Sequence, residues 1–187
     1  ALTLLSGEWV GLKLCPSHDF VDLTLNNTYR GTYMVSDHVE VRPHRVNVEE
    51  QDYPLADSSD ITGGYLFEFD CFNDGNGFRT KQSGSYIRIH YPDEDEIAPS
   101  QNTYARDFFT EIERRLYSAD YASPTDGYRA IMDTTSLINW YIMTEVSANI
   151  DGFYSTYCYK YQGEDHLYWG PLWDYDIAYA NDTRKGD

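Results

Sequence analysis

The chain has 187 residues, enough for one domain with a real core, and 41% of them are apolar and 16% aromatic. Its 14 Lys and Arg against 31 Asp and Glu leave a formal charge of −17. That argues against nucleic acid and anionic membrane surfaces as partners, since neutralising phosphates takes clustered cations. No apolar run is long enough for a membrane-spanning helix, so no membrane insertion is expected.

Taken in order, Phe20 to Leu25 alternates apolar and polar residues, Asn26-Asn27 supplies a turn, and Gly31 to Val35 continues as a second strand. Gly64 to Asp70 and Ser85 to Tyr91 read as two further strands, joined by a glycine-rich stretch from Asn73 to Gly84. Pro99-Ser100 opens a helix in which Tyr104, Phe108, Ile112 and Leu116 fall four apart on one face. A second helix follows Asp133 as N-cap, carries Leu137, Trp140, Tyr141 and Thr144, and ends near Asn149. Phe153 to Tyr161 and His166 to Trp173 return to strand around a turn at Gln162-Gly163. Strands, then helices, then a hairpin predict an α+β fold rather than a wound parallel sheet. The three cysteines match no zinc spacing, and Cys71 and Cys158, in aromatic strand-like runs, are expected as buried free thiols.

Several motifs fail on inspection. The loop from Asp70 to Gly77 puts Asp70, Asp74 and Gly75 on EF-hand positions, but Phe72 and Lys81 stand where oxygen ligands are needed. A plain hairpin loop is the better reading. The run Asp93 to Glu96 between two prolines reads as a solvated turn. No two of the five histidines stand at helical ligand spacing, and the chain has neither a Gly-x-Ser-x-Gly turn nor a P-loop.

The C-terminal third is more informative. Asp151 projects from a turn just past the second helix, with Gly152 as its expected stop, and Asp174 follows twenty-three residues later beyond a hairpin. Protein kinases order their chemistry as helix, catalytic Asp, hairpin and metal-binding Asp. One carboxylate accepts the proton of the attacking hydroxyl, and the other holds a divalent cation against the phosphates. If the two form one site, their carboxylates face a shared cleft within roughly 10 Å, and crowding raises the pKa of at least one. The ordinary alternative is that each aspartate caps its own turn.

Four segments carry a resemblance that spans almost the whole chain. Leu25-Asn-Asn-Thr-Tyr-Arg-Gly-Thr-Tyr33, Thr62-Gly-Gly-Tyr-Leu-Phe-Glu68, Asn149-Ile-Asp-Gly-Phe153 and Gly170-Pro-Leu-Trp-Asp-Tyr-Asp176 are similar, in this order, to motifs of the CotH family. The resemblance implies an atypical protein-kinase-like domain over residues 1–187 that uses ATP with Mg2+ or Mn2+. It implies phosphoryl transfer to Ser or Thr of a coat or cell-surface protein, at an extracellular, surface or spore-coat location. A non-catalytic surface-binding module and a metal-dependent hydrolase are the competing classes. Asp151 is then the catalytic aspartate, and Asp174, with Asp176 and Asn149, the metal-binding set. Glu68 is expected to pair a nucleotide-binding lysine or metal, and Trp173 to wall the nucleotide site. Asn149 has a helix cap as its plainer reading, Glu68 a solvent-facing strand position, and Trp173 the core. The chain departs from the family in two places. The family's basic segment upstream of the hairpin is not among these residues, so the chain reads as a fragment, and Asp37 stands where a glutamate is usual.

Overall fold

The structure is a computed structural model that describes residues 1–181. Helix α1 (Leu2–Trp9) leads into a hairpin of β1 (His18–Leu25) and β2 (Thr28–Ser36). The main sheet holds β3 (Tyr65–Asp70), β4 (Gly77–Arg79), β5 (Tyr86–Tyr91), β6 (Ser155–Lys160) and β7 (Tyr168–Trp169) in the order β4-β5-β3-β6-β7. Every pairing between these strands is antiparallel. Helices α2 (Pro99–Leu116) and α3 (Thr134–Val146) lie between β5 and β6 in sequence, with a short 3-10 turn at Tyr128–Ala130. The protein is therefore a mixed α/β fold with antiparallel sheets.

Side chains alternate along β3, so the central strand serves two cores at once. Tyr65 and Phe67 pack with Phe108, Phe109 and Ile112 of α2 on one face. Leu66 packs with Tyr157 and Tyr159 of β6 and with Val39, Val41, Val46 and Val48 on the other. A third cluster joins Leu4 and Leu12 to Trp140 and Met143 of α3 and to Leu172. Phe67 is wholly buried and meets Phe109 edge to face, with ring centroids 5.0 Å apart.

Lys160 ends β6 with no exposure to solvent. Its Nζ donates to the carbonyls of Thr62, Tyr161 and Glu164 and lies 5.2 Å from the centre of the Phe108 ring. Burial pulls its pKa down. Two separate loops, the one before β3 and the one between β6 and β7, are tied to one ammonium group.

Several expectations are corrected here. Helix α1 had no counterpart in the sequence reading. The buried face of α2 runs through Ala105, Phe108, Phe109 and Ile112, while Leu116 is exposed, because the sheet meets the helix on a face turned from the simple four-residue row. The glycine-rich stretch contains β4, whose Phe78 fills the core. The last strand shrinks to two residues. Cys71 is exposed, since β3 ends one residue earlier, whereas Cys158 is buried. The β1–β2 turn holds, with Asn26 and Asn27 both left-handed at φ 50° and 59°. That hairpin is a sheet of its own and exposed along almost its whole length. No helix among the described residues is long and apolar enough to cross a membrane.

Phe67→Ala should lower unfolding free energy by about 3–5 kcal/mol, read as a shifted denaturant midpoint, and a loss under about 1 kcal/mol would mean that β3 is not the core strand. Burial also holds the phenols of Tyr65, Tyr157 and Tyr159 above their ordinary pKa, and those of Tyr104 and Tyr175 at about 12. The folded chain thus keeps protons that the unfolded chain sheds near pH 10, so stability is intact below about pH 10 and falls as pH rises further. In an alkaline titration, part of the phenolate absorbance should appear in one step with loss of near-ultraviolet dichroism. Gradual ionisation of every tyrosine ahead of that loss would contradict it.

Candidate functional site

The site is built at the C-terminal end of α3. Asp133 caps the helix start, its carboxylate accepting from the Ser136 N–H at 2.7 Å. The helix stops where Ala148 turns left-handed at φ 50°. Gly152, expected as that stop, has another reason to be glycine: a Cβ there would sit 2.5 Å from Thr144 Cγ2, so its backbone lies directly on α3. The Asp151 turn closes with Tyr154 N–H donating to the Asp151 carbonyl at 2.9 Å. Thr156 Oγ1 donates to the Gly152 carbonyl at 2.7 Å.

The second turn, Leu172 to Asp176, is fastened to the same helix end. Asn149 Nδ2 donates to the Asp174 carbonyl at 3.3 Å, and the Tyr175 hydroxyl meets Thr144 Oγ1 at 2.9 Å. Tyr179 N–H donates to the Ser147 carbonyl at 2.6 Å. Asn149 therefore does both: its side chain bridges the two turns, while its backbone N–H donates to the Thr144 carbonyl at 3.1 Å and closes the end of α3 just past the C-cap Ser147. Asn149 is 3% exposed, and its Oδ1 is buried without a hydrogen-bond partner. A buried, unpartnered amide oxygen is unusual and costly unless something comes to meet it.

Asp151 and Asp174 line one cleft of about 560 Å3, with Cys71, Phe72, Tyr154 and Ser155. The Asp174 carboxyl is pushed above its usual pKa, first by desolvation, then by the charge of Asp176 and a hydrogen bond with it, and then by the charge of Asp151. Asp174 thus feels two other acids at this end of the molecule. Asp174 also borders a second groove of about 500 Å3, with Leu4, Phe20, Met34, Trp173 and Asp176. Trp173 is half-buried there, against the valine cluster on one side and edge-on to His38 on the other.

Glu68 is 7% exposed, not solvent-facing. It accepts from Ser155 Oγ and contacts His90 Nε2 at 2.6 Å, so its oxygens are engaged away from any lysine. Sequence reasoning missed Ser155 and Tyr154, which the Asp151 turn carries into the cleft, and His90, which strand pairing sets beside Glu68. Only the strand alternation hinted at the last of these.

Among the described residues, no three His, Cys, Asp or Glu side chains gather closely enough to hold a metal by themselves. The donor set here is different in kind: the Asp174 carboxylate, with Asp151 and Asp176 near it, and the unpartnered Asn149 Oδ1. Oxygen donors of this type suit a hard divalent cation.

No curated protein matches the chain, and no solved structure does. One family's sequence model, described as CotH kinase protein, matches residues 12–187. That match takes in both turns, the bridge between them and the whole main sheet, and the chain belongs to the CotH kinase protein family.

Proposed function

We propose that the protein transfers the terminal phosphoryl group of ATP to a Ser or Thr hydroxyl of a coat or cell-surface protein, through a reduced, kinase-like arrangement of α3, its two turns and β6. The meeting of Asp151 and Asp174 on one cleft, with Asn149 bridging their turns, carries this reading. Secretion to the surface or spore coat belongs to the same proposal and rests on the family resemblance.

Protein kinases hold their divalent cations with an aspartate and an asparagine. Here Asp174 and Asn149 Oδ1 would hold Mg2+ or Mn2+, with Asp176 beside them, and the cation would offset phosphate charge. The raised pKa of Asp174 supports this, because crowded carboxylates are relieved by a cation. Asp151 accepts the proton of the attacking hydroxyl. That oxygen bonds to the terminal phosphorus as the bond to the bridging oxygen breaks, and ADP leaves. The groove beyond Asp174, walled by Trp173, Leu4, Phe20 and Met34, takes the nucleoside. Nucleoside and acceptor then occupy separate cavities that share Asp174 as a border.

A second reading has its own observation. The β1–β2 hairpin exposes Phe20, Leu25, Tyr29 and Val35, which suits a module that holds a partner without chemistry. A metal-dependent phosphoester hydrolase would use the same carboxylates. Label transfer from ATP to protein separates the three. Phosphoryl transfer should fall by roughly 10²–10⁴ in Asp151→Ala, and transfer that survives this change would overturn the role of Asp151. Phosphoester hydrolysis without label transfer would favour the hydrolase.

Asp174→Asn gives an independent check. A carboxyl whose folded pKa is raised binds its proton more tightly in the folded state, so its ionised form costs stability above that pKa and the cost fades as pH drops through it. Asparagine tolerates the left-handed backbone of Asp174, at φ 56°, and carries no charge. The variant should melt about 1–3 °C higher at neutral pH and lose the rise in melting temperature that Mn2+ gives the parent. A lower midpoint, or an unchanged response to Mn2+, would count against the site.

A further inference from the structure

A line of hydrogen bonds crosses three strands of the main sheet and ends in the cleft. Ser155 opens β6 opposite Asp70 of β3, and Glu68 lies two residues back along β3, between Tyr157 of β6 and Arg88 of β5. Ser155, Glu68 and His90 share the face turned away from α2, since Phe67, Ile89 and Cys158 hold the other. Ser155 Oγ donates to Glu68 Oε1, and His90 Nε2 lies 2.6 Å from Glu68 Oε2. His90 also packs against the Tyr157 ring, at 5.1 Å between centroids, so its position is fixed by both neighbours.

The direction of these bonds matters. A carboxylate only accepts, so both hydrogens point inward, to Glu68. A serine hydroxyl has one proton and two lone pairs. With its proton committed to a buried partner, Ser155 can offer only lone pairs to the cleft that it lines with Asp151 and Asp174. It is a fixed hydrogen-bond acceptor on the wall next to the proposed base. The hydrogen-bond donor that every extended polypeptide carries is its backbone N–H.

We propose that Ser155 contacts the acceptor substrate, receiving a backbone N–H beside the hydroxyl that Asp151 deprotonates, and that Glu68 and His90 are positioning residues that hold the Ser155 proton out of the cleft. The cleft therefore prefers a hydroxyl carried on a polypeptide to free serine or water. This rests on the phosphoryl-transfer reading and names the substrate feature that the site recognises.

The test uses the chain with labelled ATP and Mn2+, and compares dephosphorylated casein, free serine and water as acceptors. Ser155→Ala should raise KM for casein about tenfold, the worth of one good hydrogen bond, so that the preference for casein over water as acceptor falls by about the same factor. Ser155→Thr keeps the hydroxyl and should restore KM. Glu68→Ala frees the Ser155 proton and should raise KM about three- to tenfold alone, yet add nothing to Ser155→Ala, because it acts only through that hydroxyl. Melting curves show which variants are folded, and Ser155→Thr carries the test if the alanine variants are not: it should then match the parent in KM and still favour casein over free serine. An unchanged KM in folded Ser155→Ala, full additivity of the two changes, or a parent that uses free serine as well as casein would overturn the proposal. A parent that turns over no ATP at all would instead overturn phosphoryl transfer itself.

Discussion

The pairing of β3 with β6 is the constraint on which the rest depends. It joins Tyr65–Asp70 to Ser155–Lys160, two segments separated by both helices. Closing so long a loop costs entropy, and the ladder recovers it by burying both faces of β3 at once. The two ends of this ladder do different work. At one end Lys160 gathers three carbonyl groups and locks the loops beneath α2. At the other end the chain enters β6 directly from the Asp151 turn. A slip of one residue would swap every side chain between the faces, putting Glu68 into the aromatic core and Phe67 into the polar line.

The candidate site spends some of this stability. Asp174 borders two cavities, feels the charge of two other acids, and holds a left-handed backbone without being glycine. Each of these features is unfavourable alone. They persist because Asn149, Tyr175 and Tyr179 fasten the second turn to the end of α3. Local strain and repulsion held by a rigid surround are what a site for a charged ligand requires.

The elements were largely legible in the sequence, and their partnerships were not. Alternation marked β3 and β5, and Asp133 marked the start of α3, because local chemistry decides both. The true face of α2 was hidden, since the row from Tyr104 to Leu116 fits a helix as well as the buried row does, and only the sheet selects between them. Asp151 and Asp174 stood out through turn position and spacing. Ser155 and His90 did not, because their importance comes from the strand register, which brings together residues up to 87 positions apart. Glu68 was picked out by its segment, but its partners could not be read from it. Asn149 was named for its motif, while its buried, unpartnered oxygen is visible only in three dimensions.

The cysteines leave a practical consequence. Cys158 is sealed in the core, and burial pushes its thiol up. Cys15 is half-buried, with a pKa raised to about 11 by burial and then by Glu8. Cys71 alone of the three is exposed, and it stands on the rim of the cleft that holds Asp151 and Asp174. Alkylating reagents attack thiolates that they can reach, so under native conditions they meet this position first. The protein thus carries its own attachment point for a fluorophore or spin label, beside the cleft where a ligand's arrival would be felt.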